Sequence, residues 1–125
     1  MDTPPRPRPA VKAVREPVAV PARVLSARRA FGSDAELAEV AGVHRSNVTR
    51  WKHGERPAPE NFELLVGLDA AVTLLSQFLA PRSVPKWLRG FNAHLGGRRP
   101  LDVLRDGRLS EVIAAIEAER QGAFA

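Results

Sequence analysis

The chain has no cysteine and no tyrosine, and only two tryptophans and five phenylalanines among its 125 residues. The missing thiols exclude disulfides, thiolate nucleophiles and thiolate zinc sites together. A core with so few aromatics is built mainly from Leu, Val and Ala, a composition that favours helices over sheets. Long hydrophobic runs are also lacking. The most apolar one, Leu64 to Ala80, contains Asp69, and its 17 residues fall short of the roughly 20 that span a bilayer. Met1 to Ala22 lacks the apolar segment of a signal peptide. These absences lead to the expectation of a soluble, cytoplasmic protein of one domain, or two very small ones, with no membrane contact.

What is present is basic. The formal charge is +5 and the pI is about 10.9, a balance that favours phosphate-bearing partners, although an arginine-rich composition arises for other reasons too. Residues 1–22 hold six of the eleven prolines. Proline removes backbone donors and blocks helix interiors, so this stretch reads as a disordered arm, either a plain solvated tail or a contact to a DNA backbone.

From Arg23 onward the pattern is helical, with no period-two run long enough for a strand. The signals predict helices over Val24–Phe31, from a Ser33 or Asp34 cap to Ala41, over Arg45–His53, over about Glu60–Leu79, over Ser83–Arg89, over Pro100–Arg105, and over Leu109–Gln121. The expected fold class is all-α. Residues 1–22 form the arm, 23–56 a helix-turn-helix region, 57–80 a long connecting helix, and 81–125 a second small helical unit. In the connecting helix, Phe62, Leu65, Val66, Leu68, Val72, Leu74, Leu75, Phe78 and Leu79 wrap more than one face. That girth suits either a core joining the two halves or a homodimer contact.

The segment "DAELAEVAGVHRSNVTRW" carries a spacing with a mechanism. A small residue, Ala38, lets two helices cross. Gly42 supplies the positive φ of the turn, and Val43, Val48 and Trp51 turn inward against Leu37 and Val40. The outward face is then Arg45, Ser46, Asn47, Thr49, Arg50 and Lys52. Residues near the start of such a second helix reach base edges in the major groove, which favours Arg45, Ser46 and Asn47, then Arg50. Lys52, His53 and Arg56 lie toward the phosphates. His44 is a turn residue, and its spacing from His53 does not make a metal pair.

In the second half, Leu109, Val112, Ile113 and Ile116 fall at the spacing of one apolar stripe, and Glu111, Glu117, Glu119 and Arg120 stay wet. Gly122 is expected to end that helix and leave Ala123, Phe124 and Ala125 projecting. There is no nucleophile–base grouping, no phosphate-cradling glycine loop after a strand and no ligand cluster. The expectation is a chain that is not an enzyme and holds no cofactor or metal.

Two resemblances sharpen this reading. The first half, ending its second helix in "RWKHG", resembles the Xre-type helix-turn-helix family. The run Trp87 to Gly122, with "FNAHLGGRRPLDVLRDG" and "EVIAAIEAERQGAF", looks like the toxin-binding domain of the Xre/MbcA/ParS antitoxins. It departs from the commoner Pro-Asn before the Leu-Gly step, reading Phe91, Asn92, Ala93, His94, Leu95, Gly96. The resemblance implies an antitoxin of a type II system, partnered by a RES-domain toxin that degrades NAD, and repressing its operon by binding operator DNA. It implies that Gln121, Gly122, Ala123, Phe124 and Ala125 plug the toxin's active site, with Phe124 as the apolar anchor. Arg98, Arg99 and Arg105 would meet acidic toxin residues or a nucleotide phosphate. A helix-turn-helix regulator without a toxin partner is the alternative.

Overall fold

The structure is a computed structural model, and it describes residues 20–123. The arm expected over residues 1–22 lies outside the described residues up to position 19. Helix α1 occupies residues 20–29, so Val20 to Ala22, expected to belong to the arm, are helical, and Val20 is buried in the core. Pro21 did not prevent this, because proline is tolerated near helix beginnings and still offers its ring for packing. The helix stops two residues short of the expected Phe31. Ala30 and Phe31 turn back on Ala27 and Arg28 carbonyls at 3.1 Å each.

Helices α2 (Asp34–Ala41) and α3 (Arg45–Lys52) follow. Ser33 caps α2, its side chain accepting from the Glu36 N–H at 3.2 Å, and Glu36 reaches back to the Gly32 N–H at 3.1 Å. These reciprocal bonds satisfy donors that the first helical turn leaves open. Gly42 closes the helix at φ 73, where a Cβ would be strained. Val43 N–H then donates to the Ala38 carbonyl at 2.9 Å, the pattern that turns a chain sharply at a helix end. The inward set Leu37, Ala38, Val40, Val48 and Trp51 is buried as expected, with Val43 half-buried.

Helix α4 (Pro59–Leu75) is the central element. It was expected to reach Leu79, but it tightens at its end. Gln77 and Phe78 N–H groups donate three residues back, to Leu74 and Leu75, and Pro81 removes the donor a longer helix would use. Leu64, Leu65, Leu68, Ala71, Val72 and Leu75 are buried, and α4 packs against α6 and α7. Arg23 of α1 meets Asp69 of α4 at 3.1 Å. The buried side chains from Val20 to Ile116 form one cluster, so the two halves share a core.

The remaining elements are α5 (Ser83–Arg89), a short 3₁₀ turn (Ala93–Leu95), α6 (Pro100–Arg105) and α7 (Leu109–Ala123). Every regular element among the described residues is helical, beside one isolated bridge between Asn92 and Arg98. No helix among them is long and apolar enough to cross a membrane. On α7 the buried face is Val112, Ala115 and Ile116, while Ile113 is 38% exposed. The expected stripe put Ile113 inside. Helix α7 packs against α4, α6 and the 3₁₀ turn, and Ile113 lies at the edge of that contact.

Gly67 shows how tightly α4 meets the C-terminal half. A Cβ there would lie 2.9 Å from Leu104 Cδ2 and 3.9 Å from Leu109 Cδ1. Leu104 is buried and has little room to move. Gly67→Leu is therefore expected to destabilise the fold by about 1–3 kcal/mol through overpacking. A denaturant melt with an unchanged midpoint would show that the contact is looser than described.

Candidate functional site

The C-terminal half is organised by a loop that wraps a buried asparagine. Asn92 is buried, and its side-chain oxygen accepts from the His94 N–H at 2.9 Å. Its backbone N–H donates to the Arg98 carbonyl at 3.0 Å, and its carbonyl accepts from Gly97 at 2.8 Å. A buried asparagine whose side-chain oxygen and backbone groups are hydrogen-bonded fixes one loop path. Arg98 closes the loop onto the helices. Its Nε donates to the Leu95 carbonyl at 2.7 Å, and its guanidinium pairs with Glu111 of α7 at 2.7 Å. Arg108 also reaches Glu111, at 3.1 Å. Arg98 first, and Arg108 after it, hold the Glu111 carboxyl below the usual glutamate range.

The three arginines expected at a toxin contact thus have different surroundings. Arg98 holds the loop to α7. Arg105 donates to the carbonyl of Val40 in α2, where it satisfies one of the open carbonyls of a helix end and places positive charge there. Both therefore have structural work that sequence spacing did not reveal. The Arg99 side chain has neither an ion pair nor a hydrogen bond among the described residues, and its guanidinium lies over the Phe91 ring, 4.8 Å from the centroid. Phe91 is 76% exposed.

Helix α7 runs past Gly122 to Ala123, so Gly122 does not terminate it. Its φ is not positive, and a glycine in an exposed last turn lowers helix stability by only about 1 kcal/mol relative to alanine. Gln121, Gly122 and Ala123 are exposed and helical. Phe124 and Ala125 lie outside the described residues. The direction of this end is set by Trp87 of α5, whose Nε1 donates to Glu119 Oε1 at 3.3 Å. Glu119 was expected to be fully wet; it is half-buried against that indole.

On the other half, Arg45, Ser46 and Thr49 are exposed on one side of α3, and Asn47 is half-exposed. His44, read as a plain turn residue, caps α3. Its Nδ1 accepts from the Ser46 N–H at 3.1 Å, an arrangement that requires an unprotonated Nδ1. Arg50 is held from two sides, by Asn47 Oδ1 at 2.7 Å and Glu55 at 3.2 Å. Lys52 departs from expectation. It turns away from the outward face and pairs with Asp34 of α2 at 2.7 Å, while Arg28 of α1 takes the other oxygen of that carboxylate at 2.8 Å. The aliphatic stem of a lysine one turn after Val48 lies along the helix pair, which brings its head to the acidic first turn of α2. Lys52 is thus a clasp within the pair.

The hydrogen bond from Lys52 lowers the Asp34 pKa most; burial opposes it, and Arg28 lowers it further. A carboxyl depressed on folding adds stability above its unfolded value of about 3.9 and loses it as pH falls through the folded value. Acid melts below about pH 4 should therefore loosen the wild-type chain, and Asp34→Asn should flatten that dependence while costing about 1 kcal/mol at neutral pH. Identical pH profiles for the two chains would refute the clasp.

The halves meet through two further contacts. Arg89 of α5 pairs with Glu36 of α2 at 2.8 Å and covers the Phe31 ring at 5.1 Å. Arg89 is the first cause holding Glu36 below the usual glutamate range. Among the described residues no three of His, Asp and Glu gather to hold a metal ion.

Comparison with known proteins places this arrangement. Residues 78–122 match the family described as the antitoxin Xre/MbcA/ParS C-terminal toxin-binding domain. The chain is 35% identical over 102 residues to a probable mycobacterial cidal antitoxin of Mycobacterium tuberculosis, covering 81% of this chain and 88% of the relative. It is 29% identical over 90 residues to the mycobacterial cidal antitoxin MbcA of Mycobacterium bovis, covering 71% of this chain and 80% of that one. Its fold matches a chain in the crystal structure of the M. tuberculosis MbcT–MbcA toxin–antitoxin complex with a TM-score of 0.68 and 27% identity, over 84% of this chain and 96% of that chain. A helical protein whose residues 78–122 match that domain, and which carries these likenesses over most of its length, is of the antitoxin class. The chain belongs to the Xre/MbcA/ParS antitoxin family.

Proposed function

We propose that this antitoxin binds a RES-domain, NAD-degrading toxin through residues 81–125 and blocks its active site with the segment Gln121 to Ala125. The observation that carries the reading is the exposed helical end of α7, aimed by the Trp87–Glu119 bond, in a region that matches a toxin-binding family. The relative of known structure was crystallised in a complex with its toxin, which supports a protein partner for this chain. The segment's chemistry fits a cleft. An aromatic such as Phe124 offers much contact area for few rotatable bonds. Because Gly122 is part of the helix, Gln121 to Ala123 approach as the last turn of α7.

The same chain would repress its own operon through α2 and α3, read as a helix-turn-helix. The exposed row of Arg45, Ser46, Asn47 and Thr49, with Arg50 beside it, supports this half of the proposal. A homodimer would set two such rows about one DNA turn, roughly 34 Å, apart.

The test is co-expression with the adjacent gene, followed by purification on this chain and mass measurement of the complex. A stoichiometric complex in which NAD hydrolysis is silent supports the reading. An adjacent product that neither binds the chain nor consumes NAD removes it, and leaves the DNA-binding half to be tested alone.

A further inference from the structure

We infer that Phe91, braced by Arg99, is a second anchor for the toxin, separate from the C-terminal segment: the ring enters an apolar pocket on the toxin while the guanidinium meets a carboxylate at its rim. The inference rests on the toxin-binding reading above and adds a site to it. Phe91 is a large aromatic left 76% exposed, although the core has room for few aromatics and uses Phe31 and Trp51. A single exposed apolar side chain is common on protein surfaces; what sets this one apart is the guanidinium held over its ring. Its ring is not loose. It follows Gly90 at the end of α5 and directly precedes the buried Asn92, whose side-chain oxygen is hydrogen-bonded to the loop backbone. Arg99 lies 4.8 Å from the ring centroid. A pre-ordered aromatic beside an arginine is the kind of pair that concentrates binding energy in an interface.

The neighbours decide what kind of partner fits. Arg98 is committed to Glu111 and the Leu95 carbonyl, which leaves Arg99 as the cation beside the ring. Asp102, exposed in the first turn of α6, lies three residues from Arg99. One cation with an acid close by is a poor match for a nucleic-acid backbone, which rewards clusters of positive charge. A second copy of this chain would bring patch onto patch in an isologous contact, setting guanidinium against guanidinium. A protein pocket with an acidic rim satisfies both members of the pair. The loop is tied through Arg98 to Glu111, near the start of α7, and the helix then runs twelve residues to Ala123. That separates the two contacts by about 18 Å along the axis at 1.5 Å per residue. One grips the toxin beside its cleft, and the other fills it.

The experiment uses the full-length chain and the purified toxin product of the adjacent gene, with calorimetric titration, NAD hydrolysis and melting curves read together. Phe91→Ala is expected to weaken association by about thirty-fold, and Arg99→Glu by about tenfold or more. Both should melt like the wild type, and both should still silence the toxin fully when saturating, because the C-terminal segment is intact. A chain lacking residues 121–125 should bind within about tenfold of wild type and fail to silence it. If Phe91→Ala itself proves unstable, Arg99→Glu decides. Binding within twofold of wild type for the stable variant overturns the second anchor, and so does a loss confined to DNA binding. If the wild-type chain does not bind the toxin at all, the toxin-binding reading falls with it.

Discussion

Removal of residues 121–125 is expected to leave a folded protein that no longer protects cells from its toxin. The last buried residue of α7 is Ile116, and the bond from Trp87 ends on Glu119. Gln121 to Ala123 are exposed, so their loss should move the unfolding free energy by no more than about 0.5 kcal/mol. Neutralisation should instead disappear, since a cleft that is no longer filled admits substrate even when the antitoxin remains bound. Growth of cells expressing toxin with the truncated chain gives the first readout, and NAD turnover by the purified complex gives the second. Continued protection would mean that occlusion comes from the loop and α6, not from the tail. The helical Gly122 makes a companion variant informative. If the segment approaches as helix, Gly122→Ala keeps or improves neutralisation through its higher helix propensity. A glycine acting as a hinge would give the opposite result.

The helix pair α2–α3 was legible because its constraint is local. Ala38, Gly42, Val43, Val48 and Trp51 lie within fourteen positions, and the turn admits only a residue tolerant of φ 73. The short helices α5 and α6 were legible for a related reason, with Pro100 opening α6 and glycines following both. Helix ends were harder to read. Proline content hid the helical Val20, the apolar run made α4 look longer than it is, and an exposed glycine looked like a stop for α7. The start of α1 is set by core packing, the end of α4 by its tightened last turn and Pro81, and Gly122 lowers helix stability by only about 1 kcal/mol, too little to stop α7. The side-chain partnerships were not legible at all. Lys52 with Asp34, Arg89 with Glu36, and Arg105 with Val40 join residues 18, 53 and 65 positions apart, and no periodicity connects such positions. They change the functional reading, because they withdraw Lys52 and Arg105 from the surfaces where the sequence alone puts them. Phe91 was overlooked for the converse reason: nothing in "RGFNAH" says whether a phenylalanine faces in or out.

Those withdrawn charges raise the expected effect of the remaining ones on DNA. Between residues 34 and 56, Arg45, Arg50, Lys52 and Arg56 are matched in number by Asp34, Glu36, Glu39 and Glu55. Lys52 is spent on Asp34, and Arg50 is shared between Asn47 and Glu55. If this helix pair binds an operator as proposed, its balanced charge gives it little broad electrostatic attraction, and base contacts would have to supply the affinity. Arg45 stands at the first position of α3 and is exposed; Asn47 follows two residues later and steers Arg50. The double variant Arg45→Ala, Asn47→Ala is expected to remove specific binding, since each good bidentate base contact contributes about 1–3 kcal/mol of discrimination. Loss of Arg45 alone should also lower the salt slope by about one if it touches a phosphate, and leave it unchanged if it reads a base. Glu55→Gln runs the other way. Freeing Arg50 from its carboxylate should raise affinity for any duplex while narrowing the gap between operator and random sequence. Titrations at two salt concentrations, with operator and scrambled duplexes, measure all three. If the double variant binds the operator as tightly as wild type, the exposed face of α3 is not the reading surface, and α2–α3 serves the fold alone.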